Sequence, residues 1–146
     1  MKILILIFTS FFAVAVHAQS PVQWEFKAKK LEGQRYEVTL TANIKGSWHI
    51  YSQFTPDGGP LPTEIKFNRN PLLVMNGAVK EVGKLYEKHE EVFDINVKFY
   101  SGKVEFKQLV TLKSKVKTKI SGTVSYMVCD DTQCLPPKKE SFSIAL

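Results

Sequence analysis

The chain is expected to fold as an all-β, immunoglobulin-like antiparallel β-sandwich, and three observations carry that expectation. Apolar residues recur at every second position, turn signals punctuate the apolar runs, and almost no stretch has a helical period. Tyr36, Val38, Leu40, Ala42 and Ile44 alternate with Glu37, Thr39, Thr41 and Asn43. Phe93, Ile95, Val97 and Phe99 alternate in the same way with Asp94, Asn96 and Lys98. Each run predicts a strand with one buried and one solvated face. Many short strands with such punctuation fit a two-sheet sandwich.

The elements follow in order. Residues 22–31 form a first strand, closed by Glu32-Gly33-Gln34, and residues 36–44 return as its neighbour before Lys45-Gly46-Ser47. Residues 48–52 are β-branched and aromatic enough for a short strand. Pro56-Asp57-Gly58-Gly59-Pro60 then forces a loop ahead of a strand at 64–67. Asn76-Gly77 reads as another turn, and residues 79–91 as a helical turn or two or a surface loop, since Gly83 and clustered charges interrupt any pattern. Beyond the run at 93–99, Ser101-Gly102-Lys103 reads as a turn into a strand at 104–112; residues 119–128 and 141–146 supply the last two strands.

Met1-Lys2, the apolar run 3–16 and Val16-His17-Ala18 have the charged start, apolar middle and small-residue cleavage site of a secretory signal peptide. Residues 1–18 are therefore expected to be removed, leaving one domain over 19–146 in an exported setting where disulfides persist. The formal charge of +6 includes Lys113, Lys115, Lys117 and Lys119, which read as a solvated face or a protected sheet edge. So few arginines in an exported chain argue against a nucleic-acid partner, and the expected state is a monomer.

Cys129 and Cys134 are the two cysteines of the chain, within Cys129-Asp-Asp-Thr-Gln-Cys134-Leu-Pro-Pro. A bond between them would close a short loop and contribute about 2 kcal/mol in the loop-entropy treatment, towards the low end for disulfides. Continuing the strand alternation puts Ile120, Gly122, Val124, Tyr126 and Val128 on one face. Cys129 then leaves with Ser121, Thr123, Ser125 and Met127 on the more polar side. Asp130 and Asp131 disfavour a thiolate at Cys129, whereas Cys134, between Gln133 and Leu135, is less burdened. The residues leave several readings open beside redox exchange. One is a non-catalytic binding sandwich in which the pair is a structural staple. Another is a copper site of Met127, Cys129, Cys134 and a histidine. A third is nucleophilic hydrolysis with His49 or His89, for which no spacing implies a triad.

Two segments bear a family resemblance. Gly46-Ser47-Trp48-His49-Ile50-Tyr51-Ser52 with Gly59-Pro60-Leu61-Pro62, and residues 122–129 through Cys134-Leu135-Pro136-Pro137, resemble the N-terminal periplasmic domain of the thiol/disulfide transporter DsbD, also described as a disulfide bond corrector domain. The resemblance spans nearly all of the chain after residue 18. It implies an immunoglobulin-like domain that relays electrons through a Cys129/Cys134 dithiol and disulfide, with no cofactor and no metal. A membrane electron transporter or a thioredoxin-like domain would be the reductant. Thioredoxin-fold periplasmic proteins, such as disulfide isomerases or cytochrome c maturation factors, would be the acceptors, making the chain a protein-disulfide reductase component that depends on another protein for electrons. By position, Cys134 resembles the cysteine that forms the mixed disulfide, and Cys129 the one that resolves it. His49, Tyr51 and Tyr126 fall among the aromatic positions near the cysteines, and Tyr86 is the candidate shield. Two departures stand out: the spacer between the cysteines is one residue shorter than in the best-known member, and 81–91 lacks its Phe-Tyr capping pair.

Overall fold

The structure, a computed structural model, describes residues 20–91 and 94–146. The expected signal peptide, Gln19 and Phe93 lie outside the described residues. Among the described residues, nine strands form two antiparallel sheets. They are β1 (Val22–Lys30), β2 (Arg35–Ile44), β3 (His49–Tyr51), β4 (Glu64–Phe67), β5 (Leu73–Glu90), β6 (Ile95–Leu112), β7 (Lys119–Tyr126), β8 (Val128–Cys129) and β9 (Lys138–Ala145). The larger sheet runs β1-β2-β6-β3-β8, with β5 also paired to β6; the smaller runs β4-β7-β9.

The alternation in β2 works as expected. Val38, Leu40, Ala42 and Ile44 are buried and meet Val104, Phe106 and Val110 of β6, with Ile120, Val124 and Tyr126 of β7 and Phe142 of β9 in the same core. Trp24 ties the sheets together, its ring centroid 5.8 Å from Phe106 and 5.3 Å from Tyr126. Gly122 lets β4 and β7 approach closely: a Cβ there would collide with the Lys66 carbonyl oxygen and the Phe142 ring.

Three expectations require correction. Residues 79–90 are neither helix nor loop but the greater part of β5, an 18-residue strand, and Glu91 follows it in a turn. Pairing with β6 supplies the backbone hydrogen bonds that the local pattern did not announce, and the expected Asn76-Gly77 turn is instead a bulge within the strand, with Gly77 at φ 76°. Ser101-Gly102-Lys103 likewise does not end a strand. β6 runs through it, and Gly102, at φ 73°, marks the point where β6 exchanges one partner for another. Residues 103–111 pair with β2, and residues 99–101 with β3. The lysines at 113, 115 and 117 are exposed as expected, but in the connection between β6 and β7 rather than on a strand.

Candidate functional site

The site grows from the point where the chain changes sheets. β7 ends at Tyr126 in the smaller sheet, Met127 makes the crossing, and β8 joins the edge of the larger sheet beside β3. That register sets His49 directly opposite Cys129 and Ile50 opposite Val128. Ile50 and Val128 point into the main core, so His49 and Cys129 share the outer face of the sheet. Cys129 is bonded to Cys134, with an S–S distance of 2.01 Å.

The four residues between the cysteines form a tight turn. The Asp130 N–H donates to the Gln133 carbonyl at 2.9 Å. Asp130 Oδ1 accepts from the Thr132 N–H, the Thr132 hydroxyl and the Gln133 N–H, each at 2.8 Å. Hydrogen bonds from Thr132 hold the Asp130 carboxyl below its ordinary value, so it stays ionised as the clasp of the turn. The Leu135 N–H donates to the Val128 carbonyl at 2.9 Å and returns the chain to the sheet.

The expectation that Cys129 leaves on a polar side is half right. It does face away from the main core, but it is 1% exposed, because this part of the outer face is itself apolar. Tyr51, Val97 and Cys129 form a second buried cluster, flanked by Ile95, Phe99 and Met127. The Ile95, Val97 and Phe99 run therefore does not build the sandwich core; it floors the disulfide site. Cys134, by contrast, is exposed.

Above this floor lies a cleft of about 790 Å³ that takes in both cysteines, His49, Tyr51, Phe99 and Met127, with Lys88 and Glu90 of β5 and Gly59-Pro60 at its edges. An aromatic line crosses it. Tyr86 stacks on Phe99 at 5.5 Å and 15°, Phe99 lies 4.7 Å from the His49 ring, and His49 meets Tyr51 edge-on at 5.3 Å. His49 Nε2 and the Tyr51 hydroxyl are 3.3 Å apart. Burial lowers the His49 pKa from its ordinary value, reinforced by Lys88 and opposed by Asp131, Glu90 and Asp130. Burial, with Glu90 nearby, pushes the Tyr51 phenol up to about 12.

Glu81 braces the loop that carries Gly59 and Pro60. Its carboxylate accepts from the Ser52 hydroxyl at 2.7 Å, the Gln53 N–H at 2.7 Å and the Tyr100 hydroxyl at 2.8 Å, locking β5 to the residues after Tyr51.

The structure thus gathers His49, Tyr51, Cys129 and Cys134, with Tyr86 one ring further out. It does not bring Tyr126 to them: that ring is 1% exposed in the main core against Trp24, as its place on the inward face of β7 dictates. His89 is exposed on β5, where Nδ1 lies 3.0 Å from Asn96 Oδ1, outside the cleft. Met127 joins His49 and the cysteines in the cleft, but the two sulfurs are bonded to each other. Among the described residues no group of three or more His, Cys, Asp or Glu forms a metal site. Sequence reasoning missed Phe99, Lys88 and Glu90 as site residues. Phe99 sat in an alternating run that looked like core, and nothing local marks β5 as the neighbour of the cysteines.

A fold and a bonded cysteine pair of this kind have known counterparts. The family profile described as thiol:disulfide interchange protein DsbD, N-terminal, matches residues 15–146. The chain belongs to the DsbD N-terminal family. The Neisseria meningitidis DsbD N-terminal domain, solved in its reduced form, is similar at a TM-score of 0.58 and 17% identity, over 86% of this chain and 85% of that one. The N-terminal periplasmic domain of ScsB from Proteus mirabilis is similar at a TM-score of 0.56 and 14% identity, over 91% of this chain and 49% of that one. No curated protein sequence matches. The immunoglobulin-like sandwich expected from the alternation is borne out, and the resemblance to the DsbD N-terminal domain is family membership.

Proposed function

We propose that this DsbD N-terminal family member is a periplasmic thiol/disulfide exchange module, in which Cys134 engages partners and Cys129 resolves the mixed disulfide. The observation that supports this most directly is the asymmetry of the bonded pair: Cys134 is exposed while Cys129 is 1% exposed beneath it. An incoming thiolate reaches Cys134 first, and exchange depends on which sulfur is accessible. In the reductive direction, the Cys134 thiolate attacks the partner's disulfide, expels one partner thiolate and forms a mixed disulfide. Cys129 then attacks the Cys134 sulfur, closing the intramolecular bond and releasing the partner's second thiolate. Two electrons pass to the partner without a cofactor.

Residues 1–18 act in this reading as a cleaved signal peptide for the domain at 19–146. The partners are thioredoxin-fold periplasmic proteins, and a membrane electron transporter supplies the reductant. His49 and Tyr51 line the approach to the pair, with Tyr86 as an outer shield.

A redox titration tests the function. The midpoint is expected within the range of thioredoxin-like couples, about −270 to −120 mV; a midpoint well below about −300 mV would mark a structural disulfide and overturn the proposal. Trapping tests the roles. Cys129→Ser is expected to accumulate a mixed disulfide through Cys134 with a thioredoxin-fold protein, and trapping by Cys134→Ser alone would reverse the assignment.

A further inference from the structure

Exchange at a buried sulfur raises a proton problem. Cys129 must become a thiolate to attack, yet it is 1% exposed and sits beside the ionised Asp130. Both conditions hold its proton in place. Solvent has poor access to it, so a neighbouring base is needed.

His49 is in the right place. It is the direct cross-strand partner of Cys129 on the same face, where opposed Cβ atoms lie about 5 Å apart, and both line the same cleft. Its ring is held on two sides, by Phe99 at 4.7 Å and by the edge contact with Tyr51 at 5.3 Å. Nε2 lies 3.3 Å from the Tyr51 hydroxyl, and Nδ1 has no hydrogen-bond partner among the described residues. With Nε2–H donating to Tyr51 Oη, the tautomer leaves the Nδ1 lone pair free to accept a proton.

We propose that His49 is the general base for Cys129, an inference that rests on the exchange function above. As Cys129 attacks the mixed disulfide, its S–H bond breaks and an N–H bond forms on the imidazole. The Cys129–Cys134 bond forms while the Cys134–partner bond breaks, and its electron pair leaves on the partner sulfur. The imidazolium then returns its proton to that departing thiolate. Protons and electrons balance with no further reactant. The charges facing the ring suit a base that cycles. Asp130 and Asp131 from the turn and Glu90 from β5 stabilise the imidazolium, while burial and Lys88 keep the resting ring neutral.

The test follows reduced protein mixed with glutathione disulfide at concentrations where release of the second glutathione no longer depends on them, so that release reads the attack by Cys129. In the wild type this rate is expected to fall in acid through an inflection below 6.5, the ordinary imidazole value, as His49 becomes protonated. His49→Phe is expected to lose the inflection and to be slower by about a hundredfold at neutral pH, the low end for a positioned base. Added imidazole is expected to restore part of that rate, which a purely structural role would not allow. His49→Gln, which keeps a polar side chain, serves if the Phe variant does not fold. Superimposable profiles for wild type and variant would overturn the inference and leave the exchange function standing. Failure of the wild type to release a second glutathione at any pH would overturn both.

Discussion

The two halves of β6 carry their apolar side chains on opposite faces of one sheet, and the difference separates stability from function. From Val104 to Leu112 the inward positions are apolar apart from Gln108, whose amide donates to backbone carbonyls, and the outward ones include Glu105 and Lys107, the arrangement of a sheet packed on one side. From Ile95 to Phe99 the outward positions are the apolar ones, and they meet Tyr51, Met127 and Cys129 instead of a second sheet. The first half is sealed by β7 and β9. Among the described residues the second is covered by the cysteine turn, β5 side chains and the loop braced by Glu81, so it shelters one sulfur and leaves the other reachable.

Substitutions in each half sharpen this contrast. The largest effect is expected from Phe106→Ala, which empties a fully buried position in the first half and should cost about 3–5 kcal/mol. Urea unfolding measures it, and the redox midpoint of the folded variant should not move. Replacing both cysteines by alanine should cost less, about 2 kcal/mol, because the bond spans a sequence separation of 5. A loss as large as that of Phe106→Ala would mean that the second half is also structural core.

Alkaline titration gives a smaller, pH-confined effect. The Tyr51 phenol is raised from 10 to about 12, so the unfolded chain ionises first. The stability contributed by the neutral phenol is complete below pH 10 and is lost as pH rises towards 12. Urea unfolding between pH 9 and 11 should therefore show a shallower decline for Tyr51→Phe than for the wild type; equal slopes would deny that the site floor is desolvated. The smallest change in stability is expected from Tyr86→Ala, which removes a half-open stack on Phe99 worth about 1 kcal/mol. The disulfide should nevertheless be reduced faster by glutathione, and an unchanged rate would remove Tyr86 from the shield.

Much of this molecule was legible in the residues themselves. The alternation in β2 and β7 named the core-facing side chains, because a period of two is a local property of an extended chain packed on one face. The cysteine pair, its turn and the flanking His49 and Tyr51 were also visible. Residues 79–91 were not, since a strand stabilised by pairing with a distant partner need carry no strong local pattern. The function of the Val97 and Phe99 face escaped for a related reason. The apolar phase shifts between Phe99 and Val104, and Gly102 suggested a turn that would absorb the shift. In the folded chain β6 is continuous through Gly102, so the shift moves the apolar side to the other face.

Sequence alone determined that the chain is a β-sandwich in which Cys129 and Cys134 stand close enough to close a short loop, because side-chain alternation and covalent spacing are written locally. Tertiary structure decided how the two sulfurs differ. Crossing between sheets at Met127 set Cys129 against His49 and under an aromatic cover, while the Asp130 turn carried Cys134 outward. Burial depends on what packs over a residue, and at Cys129 the cover comes from Tyr51 of β3 and Val97 of β6, elements separated along the chain and joined only by folding.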